Sequence, residues 1–426
     1  MLRNHKFYLN MFWILLLFLV PLPLIVTLGE GLDPIYSSQR MGINFGIFAY
    51  VWCLSAIYLA TRPKWVDKLI GLPDMYIVHG MTTVFAMILM WMHKLLSPSE
   101  GLIETTGEIS LYMFTAIIAY SLFFMASWLT NRVPAVAKLK KKIEKVLNYE
   151  VSLWIHRLNV VAVVLIYVHI ALIDYIRDVT VFFVLVTIFT IFTFASYFMY
   201  LANKKSLRNT GKILRVRKLD KSVTELVIGF SKKVKNVKAG DFVFISFPHH
   251  KKLQAPHPFS IVNDPKKDGY ITLAVDGVGD FTRELENVEN DEIVKFSKGY
   301  GILHDIVKKS DKNEKFVFIA GGIGLTSLMS LADHFDDKQI RFIYTARKGK
   351  EILYLDKLKN YVERPNFEAY AQHGRLSEKQ LKEVIPYGEN YSYIIAGPTG
   401  MNEFYKNYLA QHGADKNKIY AENFSF

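Results

Sequence analysis

Cysteine is nearly absent from this chain, with one residue, Cys53, in 426. A lone cysteine excludes an internal disulfide framework and any iron–sulfur cluster held entirely by thiolates. Cys53 lies inside an apolar run and reads as a packing residue. RNA- and DNA-binding motifs are also missing, although the formal net charge is +13. Basic residues instead gather at the ends of apolar runs, as in KLKKKIEK (138–145) and NKKSLR (203–208). Loops held on the inner side of a membrane have that distribution. The partner implied is a lipid bilayer and not nucleic acid.

What is present is unevenly divided. The first 200 residues are dominated by Leu, Ile, Val, Phe, Met and Trp, and the remainder has the composition of an ordinary soluble protein. Six stretches, near 7–28, 42–61, 75–96, 109–129, 151–173 and 179–201, meet the length of about 20 apolar residues that a bilayer requires. Arg3 and Lys6 precede the first, as in a signal peptide. However, that stretch is long, lacks a convincing small-residue cleavage site and is followed by further spans, so it reads as a retained helix. Pro21 and Pro23 predict a kink in it. The loops near 62–74 and 130–150 are rich in Arg and Lys. Those near 29–41, 97–108 and 174–178 carry Glu30, Asp33, Glu100, Glu104, Glu108, Asp174 and Asp178. The alternation predicts a multi-pass protein of the cell (plasma) membrane with both termini cytoplasmic.

Four histidines stand out within the spans. His79 and His93 are 14 residues apart, and His156 and His169 are 13 apart. Each pair is separated by roughly 20 Å along a helix. The third and fifth spans run in the same direction, so topology pairs His79 with His156 at the inner level and His93 with His169 at the outer level. A lone intramembrane histidine also suits a proton relay or an interhelical hydrogen bond, but four at matching depth favour ligation. Neutral imidazole binds zinc, copper or haem iron. Two levels across a bilayer form an electron path and suit two haems. A 14-residue spacing returns within roughly 40° of the same face, whereas 13 misses by far more. The fifth helix is therefore expected to be locally overwound or distorted. Arg157 reads either as a partner of a haem propionate or as an interfacial arginine. Phe85, Trp91 and Tyr167 read as core packing before any role in an electron path.

From about residue 207 the pattern changes to short β-rich runs, KILRVRKL, VTELVIGF, DFVFISF, YITLAVD and EIVKFSK, which predict a small antiparallel barrel. APHPFSIV lies between the third and fourth runs, and GVGDFTREL follows the fourth. From about 314, strands alternate with helices: KFVFIA, GGIGLTSLMSLADHF, RFIYTAR, a helix near 351–361, NFEAYA, YSYIIAGPTG and MNEFYKNYLAQHG. This predicts a parallel α/β sheet with ligand loops at the strand C-termini. GGIGLTS is a glycine-rich strand-to-helix turn of the kind that admits a pyrophosphate. It is not GxGxxG, and a tight turn without a ligand is its simpler reading when taken alone.

Taken in order, the two histidine pairs, HPFS (257–260), GGIGLTS (321–327), the GP loop (396–398) and a C-terminal aromatic resemble the NADPH oxidase and ferric reductase superfamily, closest to single-chain prokaryotic NADPH oxidases. The resemblance covers nearly the whole chain. It implies a six-helix transmembrane haem bundle (1–206), an antiparallel β-barrel FAD domain (207–309) and an α/β NADPH-binding domain (310–426). It also implies that His79, His93, His156 and His169 hold two b-type haems. His257, Pro258, Phe259 and Ser260 match the flavin motif, with Phe259 beside the ring and Ser260 near N5. Gly279, Asp280, Phe281 and Thr282 match a second flavin loop, where backbone and Thr meet the phosphates, and Tyr300 and Gly301 match a later turn. Gly321, Gly322, Gly324 and Thr326 match the nicotinamide-nucleotide loop, with Gly397 and Pro398 in a further loop. Arg347 stands where a cation would hold a 2′-phosphate, favouring NADPH over NADH. Phe424 matches the aromatic that covers the flavin ring and, with Ser260, belongs to the catalytic contact.

Two positions depart from the family pattern. Ser327 replaces a proline, a small change in loop stiffness. Ala396 replaces a cysteine near the nicotinamide–flavin contact, which implies slower or differently positioned hydride transfer. No EF-hand loop or long N-terminal extension is seen, so no in-chain calcium switch is expected, and no obligatory protein partner is evident. The implied activity is a superoxide-producing flavocytochrome b NAD(P)H oxidase. Electrons would pass from cytoplasmic NADPH through FAD and both haems to extracellular oxygen. A ferric chelate or a protein acceptor is the alternative.

Overall fold

The computed structural model describes residues 6–125, 149–204, 207, 209–230 and 236–423. The basic run 138–145, residues 205, 206 and 208, and Phe424 lie outside the described residues. The chain divides into a helical unit, Phe7–Ala202, and a second unit from Asn203 onward.

The helical unit contains α1 (Lys6–Ile14), α2 (Leu22–Gly31), α3 (Arg40–Ala60), α4 (Lys64–Ile70), α5 (Leu72–Leu96) and α6 (Gly101–Met125). These are followed by α7 (Tyr149–Arg157), α8 (Asn159–Leu172), α9 (Asp174–Arg177) and α10 (Thr180–Lys204). Among the described residues, six helical segments are long and apolar enough to cross a membrane. The first is interrupted where Pro21 removes an amide donor, and a π-helical turn, Leu15–Leu19, precedes the break. Helix α3 has the most covered surface of the spans. Its Tyr50 hydroxyl meets Thr190 Oγ1 of α10 at 2.8 Å, and Trp52 Nε1 donates to the Leu17 carbonyl at 3.0 Å. Helix α5 packs chiefly on α3, and α8 chiefly on α6.

Two departures from the sequence expectation affect the site. Helix α6 starts at Gly101 and not at 109, so Glu104 and Glu108 lie on a helix and not in a loop. Their polarity lowers the apolar signal, yet Glu104 sits in the first turn, where the helix dipole favours an acid. Thr105 and Thr106 hydroxyls donate back to the Gly101 and Leu102 carbonyls, both at 2.8 Å. The fifth span breaks at Leu158. The Leu158 amide donates to the Ile155 carbonyl and the Val161 amide to the Leu158 carbonyl, both at 3.0 Å. These three-residue closures overwind the chain by about 20° per residue, in the direction that a 13-residue interval needs.

The second unit begins with a six-stranded antiparallel sheet ordered β4-β3-β6-β1-β2-β5. The strands are β1 (Asn209–Lys218), β2 (Val223–Gly229), β3 (Phe242–Ser246), β4 (His257–Ser260), β5 (Tyr270–Asp276) and β6 (Ile293–Phe296). A bridge between Ile261 and Leu273 joins its two edges and closes a barrel. Short helices α11 (Pro265–Asp268) and α12 (Asp280–Glu284) lie between β4 and β5 and between β5 and β6, and α13 (Leu303–Lys309) leads out of the barrel.

A five-stranded parallel sheet comes next, ordered β11-β10-β7-β8-β9. Its strands are β7 (Lys315–Gly321), β8 (Ile340–Ala346), β9 (Phe367–His373), β10 (Tyr391–Gly397) and β11 (Ile419–Asn423). The helices are α14 (Leu325–His334), α15 (Leu355–Val362), α16 (Glu378–Val384) and α17 (Thr399–Gln411). Phe316, Phe318 and Ala320 bury on one face of β7, and Val317 and Ile319 on the other. A two-sided core accounts for the uninterrupted apolar run. The helix expected at 351–361 starts later, at Leu355, after Tyr354 takes a φ of 53°. The order reverses between β7 and β10, which makes a switch-point crevice at their C-terminal ends.

Candidate functional site

In the helical unit the four histidines form two facing pairs. The rings of His79 and His156 have centroids 6.0 Å apart, and those of His93 and His169 are 6.2 Å apart. Two imidazoles bound to one metal from opposite sides place their centroids roughly 6 Å apart, given metal–nitrogen bonds of about 2.0 Å. Every Nδ1 has a partner on a neighbouring helix. His79 Nδ1 donates to the Ala56 carbonyl at 2.9 Å and His93 Nδ1 to the Gly42 carbonyl at 2.8 Å, both on α3. His169 Nδ1 donates to the Ile103 carbonyl of α6 at 2.8 Å, and His156 Nδ1 lies 3.0 Å from Ser121 Oγ of the same helix.

A carbonyl only accepts, so these bonds fix the proton on Nδ1 in three of the rings. The lone pair of each neutral ring is then left on Nε2. Orientation of a ligating histidine through its second nitrogen is a regular feature of metal centres. Close approach makes these bonds possible. A Cβ on Gly46 would come within 3.0 Å of the His93 ring, and one on Gly107 within 3.1 Å of His169. A cavity of about 470 Å³ adjoins His93 and His169, with Ile47, Tyr50, Met90 and Leu111 in its wall and Lys94, Glu104 and Glu108 among its polar lining. The donor set and the cavity fit a bis-imidazole prosthetic group.

The other aromatic candidates of the helical unit make contacts of their own or lie on its surface. Trp91 Nε1 donates to Thr115 Oγ1 at 3.2 Å, and the Tyr167 hydroxyl meets Thr187 at 2.9 Å. Phe85 is exposed on the protein surface. Arg157 lies 5.0 Å from the Trp154 ring centroid.

In the second unit, the flavin-motif segments converge on the barrel edge. HPFS forms β4, with Phe259 opposite Val243 and Ser260 opposite Phe242. The His257 ring stacks on Phe281 at 3.8 Å, and Phe259 is 6.0 Å from Phe281. Burial pushes the His257 pKa down against the opposing Ala255 hydrogen bond, which favours a neutral ring. Thr282 Oγ1 accepts from the Gly279 amide at 2.8 Å and closes the loop, while Asp280 stays exposed beside Arg283. Tyr300 packs on Phe242 and Phe244, and Gly301 beyond it has a φ of 131°.

The nucleotide candidates meet at the switch point. Gly322 takes a φ of 55°, and Thr326 Oγ1 donates to the Ile323 carbonyl at 3.0 Å. A Cβ on Gly324 would strike the Ala396 carbonyl and come within 2.9 Å of the Gly397 amide; one on Gly321 would strike Met401. Gly321, Gly324, Ala396, Gly397 and Pro398 are therefore one locus. Ser327 is buried in the following helix. Arg347 is exposed just after β8.

Sequence reasoning missed Ile103, Gly107, Ser121 and the buried Asp241. Gly107 and Ser121 left only the trace of a small or polar residue in a helix, and Ile103, which acts through its backbone carbonyl, left none. Burial raises the Asp241 carboxyl well above its ordinary range despite the Lys238 amide at 2.8 Å.

Residues 208–325 match the FAD-binding domain family. The glycine betaine monooxygenase reductase subunit of Pseudomonas aeruginosa is 30% identical over 129 residues, covering 26% of this chain and 35% of that protein. NADH-cytochrome b5 reductase 2 of Aspergillus terreus is 26% identical over 166 residues, covering 34% and 51%. The chain thus spans about a third to a half of the curated relatives it matches. Among solved structures, flavohemoglobin from Malassezia yamatoensis aligns with a TM-score of 0.46 at 16% identity, covering 93% of this chain and 100% of that one. The FAD/NAD-binding domain of a Vibrio cholerae nitric oxide dioxygenase aligns at 0.44 and 17%, covering 51% and 98%.

Proposed function

From the FAD-binding module at residues 208–325, we propose that this chain is a transmembrane oxidoreductase. It takes reducing equivalents from NADPH on the cytoplasmic side and delivers them to oxygen outside, producing superoxide. FAD would supply the step from two-electron to one-electron chemistry, and two b-type haems a one-electron route across the bilayer. The single observation that carries the reading is the pair of facing histidine couples at 6.0 and 6.2 Å, with all four Nδ1 atoms engaged.

The chain's own residues have definite tasks in this reading. His79 and His156 would hold the inner haem and His93 and His169 the outer one, each ring oriented through its Nδ1 hydrogen bond. At the barrel edge, Pro258, Phe259 and Ser260 would line the flavin ring, and the Gly279–Thr282 loop would meet its phosphates. The bare backbone at Gly321–Gly324 admits a nucleotide pyrophosphate against the N-terminus of α14, with Gly397 and Pro398 opposite. Arg347 would meet a 2′-phosphate. Catalysis by these residues is chiefly orientation and exclusion of water.

Purified full-length protein given NADPH should reduce cytochrome c in a reaction that superoxide dismutase inhibits. Turnover seen only with ferric chelates would contradict oxygen as the acceptor. Turnover that requires an added protein would show a partner acceptor.

A further inference from the structure

Helix α14 carries a polar stripe that its phosphate-binding end does not explain. Ser327, Ser330 and His334 follow at three- and four-residue steps and share one face. At Ser330 and His334 that face meets the barrel. Ser330 Oγ donates to the Asn263 carbonyl at 2.5 Å and accepts from the Gly240 amide at 3.1 Å. One turn on, His334 Nδ1 lies 2.7 Å from Asp264 Oδ2, whose side chain is 1% exposed. Asp264 follows Ser260 by four residues, on the chain leaving the flavin strand. A second imidazole, His304 of α13, packs on the first with centroids 4.8 Å apart. His304 is 4% exposed, and its Nδ1 is buried without a hydrogen-bond partner.

A carboxylate this deeply buried keeps its charge only through its partners. Burial alone would raise Asp264, but the His334 side chain and the Lys266 amide hold it below the ordinary carboxylate range. Two touching imidazoles disfavour a second positive charge, and only His334 faces the carboxylate. Burial, together with the charges of His334 and Lys238, pushes His304 down to about 4. The other charged groups around the cluster are spoken for. Lys238 pairs with Asp305 at 2.6 Å, and Lys267 with Asp336 at 2.8 Å. Lys266 adds positive charge from α11, and Asp333 is paired with Lys357 at 2.5 Å.

We propose that His334 is a positioning residue for reduction of the flavin. Paired with Asp264, it locks the nucleotide helix to the flavin strand, so the glycine loop at the other end of that helix, about 15 Å away, meets the flavin in register. This rests on the reading that NADPH reduces FAD in this module. His304 serves as the neutral neighbour packed against the ring that faces Asp264.

The test is anaerobic stopped-flow reduction of the FAD-loaded full-length protein by NADPH. It compares wild type with His334→Ala, His334→Gln, Asp264→Asn and the His334→Gln/Asp264→Asn double variant. His334→Ala should slow reduction at saturating NADPH about tenfold with little change in nucleotide affinity. His334→Gln keeps a hydrogen-bond donor to Asp264 and should recover part of the rate. The double variant should lose no more than either single variant. FAD content and the thermal unfolding midpoint report folding independently of turnover. Wild-type rates in both His334 variants would overturn the proposal. So would a rate loss that only tracks lost FAD. If wild-type flavin is not reduced by NADPH at all, the functional reading fails first and this inference with it.

Discussion

In the helical unit the functional candidates are four side chains, whereas in the second unit most are stretches of backbone. His79, His93, His156 and His169 matter for the nitrogen each presents, and their neighbours matter for turning that nitrogen inward. Gly321, Gly322 and Gly324 matter for what they lack, since a Cβ at Gly324 would meet the backbone of Ala396 and Gly397. The first kind of site fails by deletion and the second by addition. That contrast orders the expected effects of mutation.

The largest effect should come from His93→Ala or His169→Ala. Either variant should lose about half of the low-spin haem absorbance and essentially all acceptor reduction, while NADPH still reduces the flavin. Loss of flavin reduction in a folded variant would break the separation between the two regions. Gly324→Ala comes next. The intruding methyl has only backbone to displace, and overpacking of this kind costs roughly 1–3 kcal/mol. The expected result is a sharp loss of nucleotide binding, read by NADPH titration, with haem content untouched.

Ser121→Ala sharpens the comparison from the other side. Three of the histidines lean on carbonyls that no substitution removes, but His156 leans on a hydroxyl. Its loss should weaken haem retention at the inner level by about tenfold, the usual scale for an outer-shell partner, measured as haem occupancy during detergent dilution. Arg347→Ala should raise the KM for NADPH about tenfold and leave that for NADH nearly unchanged. An equal effect on both nucleotides would remove Arg347 from the 2′-phosphate.

The smallest effect concerns pH. His304 is held down to about 4 by burial and its neighbours, so the unfolded chain binds more protons between that value and the ordinary histidine range near 6.5. Stability of the second unit should therefore fall as pH drops through this window, and His304→Phe should flatten the slope of the unfolding midpoint. The depressed Asp264 acts in the same sense at lower pH.

Much of this was legible in sequence because strong periodic signals carry it. The 14- and 13-residue intervals, the β-rich runs and the glycine turns each have a short-range cause. The shortfall in rotation of a 13-residue interval anticipated the break at Leu158. What escaped depends on three-dimensional neighbours. Glu104 and Glu108 disguised the start of α6, and with it the Ile103 carbonyl and the Gly107 contact that seat His169. Strand β11 is short and lies at the edge of the parallel sheet, paired only with β10. The His304–His334–Asp264 cluster joins segments separated by 30 and 70 residues, so no local pattern betrays it.

The central claim is that the facing histidines ligate two haems. A dithionite-reduced minus air-oxidised spectrum of the purified full-length protein, with haem quantified per chain, tests it most directly. The expected result is a low-spin b-type signal at two haems per polypeptide, lost one at a time from the His79/His156 and His93/His169 pairs. A folded, FAD-containing protein with no low-spin haem signal would contradict it.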